Sequence, residues 1–326
     1  MKITNLALIF VLIVVPMFLI MGFRIDDQKT VNRLELQYDA ALRTAAQDAA
    51  KMLSLNEKQD FEVQYQSLKY FRANKEMAVD TFFKTLVLNF RLKEDPIGQG
   101  VLKAYIPAIV IVDYDGYYTY AVEEYRNARG VLEAKHVFSP KKPYAYSDSV
   151  GRSYAFTLDD YVRVYDPTLR TWYEGYRADL STSVSVDLLQ QADTFEQVRQ
   201  RVIVDTIQQD LARVINKHNQ YVTRYGITYM FSLPSISQEE WNNTINDIGM
   251  IAFLQGIPVG DQAYNNYALG GGRLVRKPVI YGVQENGIKY YYRSDCAFTA
   301  TIEETFVNEK EAAAHGYYPK RCLNVP

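Results

Sequence analysis

The chain begins with MKITNLALIFVLIVVPMFLIMGF over Met1–Phe23, and this stretch constrains the architecture more than any other part of the sequence. It carries one charged side chain, Lys2, before Arg24, and Leu6–Phe23 is an unbroken run of 18 residues without a strongly polar side chain. A run of this length crosses the hydrocarbon core of a bilayer, about 30 Å thick, if the bilayer thins slightly or the flanking residues adjust. We therefore predict a transmembrane anchor over residues 1–25.

A cleaved secretory signal is the competing interpretation of the same stretch. Such signals have a shorter apolar region, followed by small residues at the cleavage site. Here Met21–Asp27 reads MGFRIDD, with bulky and charged residues at the positions where small ones belong. This favours an anchor that is retained.

The sequence indicates less directly which side of the membrane receives the bulk of the chain. We expect only a few residues before the anchor, with the rest on the other side. The basic residues flanking the anchor are evenly distributed, so they give no orientation. The chain has two cysteines, Cys296 and Cys322, which is compatible with one disulfide in an oxidising compartment, although two cysteines also occur by chance in cytosolic proteins. We predict a single-pass protein of the cell membrane whose bulk is extracytoplasmic.

Residues 26–55 are predicted to form a helical stalk. Asp26–Leu53 contains no helix breaker, and its apolar residues recur three and four positions apart, as on one face of a helix. The stripe is rich in alanine, which permits close approach of another element. In an isolated protein it packs against the chain's own domain, whereas in a filament subunit it does so and also contacts other membrane or pilus-type subunits. The proposed partner stripe consists of Val31, Leu34, Tyr38, Ala41, Leu42, Ala45, Ala49 and Met52.

Residues 56–285 are predicted to form an extracytoplasmic head of mixed helix and strand. The strongest signal is a hairpin, in which two apolar strands flank the Asp115-Gly116 turn. A second hairpin turns at Glu285-Asn286-Gly287, and residues 249–259 fit either a helix or a strand. The predicted helices cover 56–95, 194–221 and 237–248, and the predicted strands cover 108–113, 117–122, 161–165, 227–233, 278–283 and 289–292.

The fold class predicted from these elements is α+β. It has an N-terminal transmembrane helix extended into a helical stalk, then a head of helices and antiparallel sheet. Residues 286–326 form a small C-terminal strand–helix module that begins within the second hairpin and contains both cysteines.

Composition excludes several classes of protein. Hydrophobic residues make up 48% and charged residues 23%, which allows a folded core and argues against disorder. The net charge of −2 excludes a surface that coats nucleic acid, so no nucleic-acid partner is expected. The 27 tyrosines indicate a tyrosine-rich sheet rather than a specialised binding face.

The sequence carries no recognisable catalytic or metal-binding motif. The three histidines are far apart in sequence, and Asp113–Gly116 has the spacing of a turn rather than of a calcium loop. Gly270-Gly271-Gly272 lacks the Lys-Ser/Thr of a phosphate loop and is predicted to be a flexible turn. Asp159-Asp160 and Glu303-Glu304 are interpreted as solvated carboxylates. We therefore predict no enzyme activity, no cofactor and no metal site.

The segment from Tyr292 to Cys322 includes the stretch EAAAHGYYPKRC over Glu311–Cys322. It resembles the small cysteine module of the Ada-type zinc domain over about 35 residues. The chain keeps one cysteine at each end, whereas a structural zinc site needs four nitrogen or sulfur ligands. The resemblance implies a Cys296–Cys322 disulfide that closes a loop of about 26 residues and stabilises the fold by roughly 3 to 4 kcal/mol.

The layout of anchor, alanine-rich stalk and strand-containing head resembles the TadE-like group of pilin-like proteins. The resemblance covers about 55 residues and includes the stretch DAALRTAA over Asp39–Ala46. The chain lacks the glycine-terminated leader and the fifth-position glutamate of type IV prepilins. The resemblance implies a structural or assembly subunit of a pilus-like or secretion apparatus on a bacterial cell surface.

A second interpretation is a membrane-tethered ligand-binding module. The strand–turn–strand unit at 108–122, followed by tyrosine-rich strands, resembles part of a PAS- or Cache-like pocket. Such a module would act together with a signalling partner, and its small-molecule ligand is not specified by the sequence.

Overall fold

A computed structural model of the chain describes residues 3–54, 73–224, 226–272, 280–285, 287–293, 296, 301–306 and 309–320, with the side chains of 3–9, Asn243 and Arg293 left out. The chain divides into two compact units, Met1–Leu274 and Val275–Pro326. The boundary therefore lies before the second hairpin, whereas the predicted boundary at 285/286 cuts through that hairpin.

The helices are α1 (Ile3–Leu53), α2 (Lys75–Asn89), α3 (Pro96–Ala104), α4 (Arg177–Ser183), α5 (Asp187–Gln190), α6 (Ala192–Thr223), α7 (Gln238–Thr244) and α8 (Glu309–Ala314). The strands of the first unit are β1 (Ile109–Asp113), β2 (Gly116–Arg126), β3 (Leu132–Phe138), β4 (Lys142–Ser147), β5 (Ser153–Phe156), β6 (Tyr161–Asp166), β7 (Thr171–Tyr176), β8 (Gly249–Val259) and β9 (Gln262–Gly271). Those of the second unit are β10 (Ile280–Glu285), β11 (Ile288–Arg293), β12 (Glu304–Phe306) and β13 (Tyr318–Pro319). This mixture of helix and largely antiparallel sheet confirms the α+β class.

Helix α1 is continuous over its 51 residues and includes Pro16. The predicted stalk is the C-terminal part of this one helix, with no new helix start at Asp26. Helix α2 runs antiparallel to it: the Tyr38 and Phe90 rings stack with centroids 5.0 Å apart, and Thr85 Oγ1 donates to Asp48 Oδ2 at 3.2 Å. Helix α2 confirms the second half of the helix predicted over 56–95, whose first part, 56–72, lies outside the described residues.

The described strands of the first unit form a nine-stranded antiparallel sheet. Its order is β7-β6-β5-β4-β2-β1-β8-β9, and β3 pairs with β2 off this path. The β1–β2 hairpin confirms the strongest prediction, since Asp113 pairs with Gly116 across the turn. All five residues of β1 are buried, in keeping with a strand that reads as a short continuous apolar run. The largest hydrophobic cluster joins this strand to α1, α2, α6 and β8.

The tyrosine-rich composition belongs to this sheet, as predicted. Tyr114, Tyr117, Tyr144 and Tyr154 are fully or almost fully buried. Their hydroxyl groups still find acceptors: Tyr144 donates to the carbonyl oxygen of Gly116 at 2.8 Å, and Tyr114 donates to Asp159 Oδ1 at the same distance. A buried tyrosine needs such a partner, because an unbonded hydroxyl in the core costs free energy. Asp159 is therefore a buried acceptor, which corrects its interpretation as a solvated carboxylate.

The strand predicted over 227–233 does not form. Residues 227–233 have no regular secondary structure and pair with no strand among the described residues, and side chains bind their backbone instead. Asn219 of α6 accepts from the Phe231 amide at 2.8 Å and donates to its carbonyl oxygen at 2.9 Å. Gln255 of β8 makes the equivalent pair with Ser232. Side-chain amides thus replace the ladder that a β-strand needs.

The other helical predictions agree with the structure, with small changes of boundary. Helix α6 covers the predicted 194–221, and α7 begins with the capping box of Ser237 and Glu240 but ends at Thr244 rather than near residue 248. The ambiguous stretch 249–259 is strand β8. Strands β3, β4, β5, β7 and β9 were not predicted.

The second unit is a four-stranded sheet among its described residues, in the order β12-β10-β11-β13. The β10–β11 hairpin confirms the second hairpin prediction. Helix α8 packs on this sheet, and a small core forms from Ile280, Phe306, Ala312 and Tyr317.

Candidate functional site

Helix α1 has two halves with opposite surroundings. From Phe10 to Ile25 its large apolar side chains project into solvent rather than onto the chain's own domain. Exposed apolar surface of this extent on a soluble monomer indicates an interaction site for protein or lipid. The exposed side chains are Phe10, Val11, Leu12, Ile13, Val15, Met17, Phe18, Leu19, Ile20, Met21, Phe23 and Ile25.

Among the described residues, no helix offers a stretch that is both long enough and apolar enough to cross a membrane. The structure does not describe the side chains of residues 3–9, and the predicted apolar run Leu6–Phe23 begins among them.

The C-terminal half of α1 is buried in the first unit. Of the predicted partner stripe, Ala41, Leu42, Ala45 and Ala49 belong to the core, whereas Val31, Leu34, Tyr38 and Met52 are half-buried and pack against it. The structure therefore places the stripe against the chain's own sheet and α2, as both alternatives above require.

Small residues on both sides bring α1 close to the sheet. A Cβ on Gly270 of β9 would lie far inside van der Waals contact with the carbonyl oxygen of Ala46, and one on Gly272 would lie 2.8 Å from that of Ala50. Gly270 and Gly271 end strand β9, so the prediction of a flexible turn at these glycines is wrong. The glycines allow the backbone of the helix to approach the strand.

A polar contact fixes the middle of α1 on β9. Asp39 Oδ1 accepts from the Tyr264 hydroxyl at 2.5 Å and from Asn266 Nδ2 at 2.6 Å. Burial raises the pKa of the Tyr264 phenol, and the hydrogen bond to Asp39 raises it further, so the hydroxyl remains a donor. These bonds hold α1 against β9 at Asp39, beside the buried alanines of the same helix.

The turn between β1 and β2 carries a buried ion pair that the sequence analysis missed. Asp113 is 0% exposed, and its Oδ2 lies 3.0 Å from Lys141 Nζ, which also pairs with Asp115. Burial raises the pKa of Asp113, against the opposing effect of Lys141. Asp113 Oδ1 accepts from the Ala73 and Tyr114 amides, at 3.2 and 2.9 Å. The turn prediction was correct, but the carboxylate also joins three segments of chain.

A groove of about 350 Å³ opens beside this ion pair. Two basic groups, Lys141 and Arg163, line it together with Asp115 and the indole of Trp172. Arg163 lies 5.5 Å from the Trp172 ring centre, and its Nε is 3.0 Å from Glu174 Oε2. Fixed charges of both signs beside an aromatic surface could hold a small polar ligand. Sequence patterns could not find this groove, since its residues come from five separate segments.

Of the histidines, which are distant in sequence, His218 is buried and His136 is half-buried in the fold. His218 of α6 lies with Nε2 2.9 Å from the carbonyl oxygen of Ala104, and burial lowers its pKa to about 4. Burial also lowers the pKa of His136 to about 4, with contributions from His218 and Lys103. Within the described part of the chain, no three acidic, histidine or cysteine side chains are placed to hold a metal ion.

The C-terminal residues of interest are described only in part. The thiol of Cys296 is not free, whereas Cys322 lies outside the described residues, so the pairing of the two stays a prediction. Glu304 is partly exposed and lies 3.5 Å from His315 Nδ1. The Glu303 amide donates to the Gly282 carbonyl oxygen at 2.8 Å. Neither carboxylate is built into a catalytic arrangement with the described residues around it.

Comparison with protein families, curated proteins and solved structures found no match to this chain.

Proposed function

We propose that this protein is a membrane-anchored, extracytoplasmic subunit with a structural or assembly role in a pilus-like or secretion apparatus on a bacterial cell surface. The observation that carries the proposal is the division of α1 into an exposed apolar half and a half docked in the head. The TadE-like resemblance of the N-terminal residues supports the assembly role.

The dimensions of α1 suit an anchor that continues into a head. A helix of 51 residues is about 75 Å long at 1.5 Å per residue, whereas the hydrocarbon core needs about 20 residues. Residues 6–25 supply that length. The docked half, Tyr38–Leu53, packs within the head. Residues 26–37 lie between the anchor and this docked half, and they separate the head from the lipid.

The burial of the stripe changes where partner contacts are expected. Ala41 and Ala45 are already covered by the chain's own sheet, so neighbouring subunits would meet the projecting half instead. Leu36, 70% exposed on the free face of α1, is the best reporter position outside the anchor.

The test uses the full chain in its native membrane, with a photo-crosslinking side chain at Leu36. A matched reporter at Val150, which is similarly exposed but on the β4–β5 turn, controls for random collision. We expect Leu36 adducts with a second copy or with other membrane subunits, and none from Val150. Release of the protein from membranes by alkaline carbonate would overturn the anchor, and equal adducts at both positions would overturn the assembly role.

The groove beside Trp172 favours a second candidate, a membrane-tethered ligand-binding module of PAS- or Cache-like type that acts with a signalling partner. A small charged ligand held there would raise the melting temperature of the wild-type protein. Arg163→Gln would abolish that rise, whereas Arg129→Gln, on the exposed β2–β3 turn, would leave it unchanged. If no member of a panel of small charged metabolites shifts the wild-type melting temperature, the ligand-binding function is rejected.

A further inference from the structure

The β1–β2 turn holds a lysine between two carboxylates whose facing oxygens are closed to solvent. Lys141 Nζ lies 3.0 Å from Asp113 Oδ2 and also pairs with Asp115 Oδ1. Asp113 is fully buried, and neither of these two carboxylate oxygens is accessible to water. Holding charges in such a place is costly, because a buried ion pair recovers only part of the hydration energy that its members lose.

The sheet itself keeps the nitrogen and the carboxyl group together. Pro143, two residues after Lys141, pairs with Gly116 at the start of β2. The Tyr144 hydroxyl bonds to the carbonyl oxygens of Asp113 and Gly116, at 3.0 and 2.8 Å. Two reacting groups that are fixed in contact in this way gain a large advantage in rate over groups that must first meet.

Asp113 has the surroundings of an acceptor for an amine. Its Oδ1 accepts from the backbone amides of Ala73 and Tyr114, at 3.2 and 2.9 Å. Two backbone donors on one oxygen stabilise the negative charge that develops there when a nucleophile adds to the carboxyl carbon. Burial raises the pKa of Asp113, which favours the neutral acid, with a hydroxyl group that can leave.

We propose that Lys141 and Asp113 condense into an intramolecular amide that links the β3–β4 connection to the end of β1. Lys141 Nζ forms a bond to Cγ of Asp113, the bond between Cγ and Oδ2 breaks, and one water molecule leaves. Asp115 accepts a proton from the nitrogen and delivers it to the departing oxygen. The reaction needs no oxidant, reductant or other reactant, and it removes two buried charges. The link goes beyond the proposed assembly role and does not depend on it.

The proton on Lys141 makes the condensation slow. Burial disfavours the charged form of this side chain, but Asp113 and Asp115 outweigh that effect and raise its pKa. The amine must therefore pass a proton to a carboxylate before it can attack, so we expect one slow event in each folded chain. The product keeps its hydrogen bonds, since the amide oxygen still accepts from Ala73 and Tyr114 and the amide N–H faces Asp115.

The test is peptide mass spectrometry of the full chain, purified from its membrane and digested with trypsin. The amide blocks cleavage after Lys141, so we expect a branched peptide in which residues 104–126 are joined to residues 136–152. Its mass should be lower by one water molecule than the sum of the two linear peptides, and fragmentation should place the branch at Asp113. Recovery of both residues only in linear peptides of full mass would overturn the inference.

Loss of water has another chemical source at this turn, because Asp115-Gly116 can close into a cyclic imide. The imide would lighten the linear peptide 104–126 without joining it to a second peptide. That result would overturn the inference, and so would a branch that fragmentation places at Asp115 instead of Asp113.

Lys141→Arg keeps a positive charge beside both carboxylates, but the guanidinium does not act as an amine nucleophile, so no branched peptide should form. The matched control is Lys142→Arg, at the neighbouring lysine that pairs with Asp210, and it should leave the branched peptide unchanged. A branched peptide in the Lys141 variant would contradict the assignment. The wild-type digest decides the question even where a variant fails to fold.

Asp115→Ala tests the proton transfer. It should slow bond formation by about 100-fold, measured as the branched fraction at successive times after a pulse of synthesis. An unchanged rate in the folded variant would overturn the role of Asp115.

Discussion

Gly270 of β9 lies directly against the main-chain carbonyl group of Ala46 of α1, with no space for a side chain between them. This approach seats the helix on the sheet, since α1 presents alanines and the strand presents a glycine at the point of closest contact. The head and the projecting helix are therefore one continuous structure.

Gly270→Ala is expected to destabilise the protein by about 1–3 kcal/mol, because the new methyl group must displace the backbone of α1. Gly271→Ala is the matched control: the neighbouring glycine has open space at its Cβ position, so the change should stay within about 0.5 kcal/mol. Denaturant unfolding of the two purified variants measures both values. Equal effects would show that the helix does not approach the strand as described.

Tyr264→Phe is expected to lower the free energy of unfolding by about 1–2 kcal/mol, because the change removes a half-buried hydrogen bond to the Asp39 carboxylate. The control is Tyr125→Phe, which removes a tyrosine–carboxylate bond of similar geometry to Glu133 at an exposed site. Water replaces that bond, so the Tyr125 change should be close to neutral. A comparison of melting curves that ranked the control as the more damaging change would contradict the role of Asp39.

The buried His218 should make the protein less stable in mild acid. Its pKa of about 4 in the folded protein lies below the ordinary value near 6.5, so the unfolded chain binds a proton that the folded chain excludes. The free energy of unfolding should therefore fall as the pH decreases from about 6.5 to 4, by up to roughly 3 kcal/mol for this one group. His136 should add to the fall, because its pKa is lowered in the same direction.

His218→Phe tests the assignment, because phenylalanine fills a similar volume beside Phe231 but does not titrate. The variant should start from lower stability, having lost the bond to Ala104, and should show a shallower dependence on pH. A pH dependence as steep as that of the wild type would exclude His218 as a source of the acid sensitivity.

Asn219→Ala should loosen segment 227–233 without unfolding the sheet. The variant loses both bonds to Phe231, whereas the bonds between Gln255 and Ser232 remain. Hydrogen exchange at the Phe231 amide should accelerate at least tenfold, equivalent to about 1.4 kcal/mol of opening free energy. The Ser232 amide, held by Gln255, serves as the internal control and should change less.

Sequence patterns located the elements whose signals are local. The β1–β2 hairpin follows from apolar strands around Asp-Gly, α7 from its capping box, and α6 from its helical periodicity. The sequence patterns missed five strands, because polar and aromatic residues dominate them and their pairing depends on neighbours far along the chain. These strands are β3, β4, β5, β7 and β9.

The candidate site was predicted in part. The continuous apolar and alanine-rich N-terminal helix was visible in the sequence, including the alternative that its stripe packs on its own domain. The groove between Lys141, Arg163 and Trp172 was not visible, since it exists only where the β1–β2 turn, the β3–β4 connection, β5, β6 and β7 meet. The prediction of a strand at 227–233 failed for the same reason, because the groups that bond to this backbone are side chains of α6 and β8, which are distant in sequence.

The sequence by itself determined the long helix, its apolar first half, the two hairpins and the mixed α+β class, because periodicity and turn chemistry act between residues close in the chain. Tertiary structure alone decided which half of α1 is covered, where Asp113 and Asp159 are buried, and which strand is left at the edge. Each of these depends on burial and on hydrogen bonds between distant segments, and such contacts become favourable only when the whole sheet is assembled.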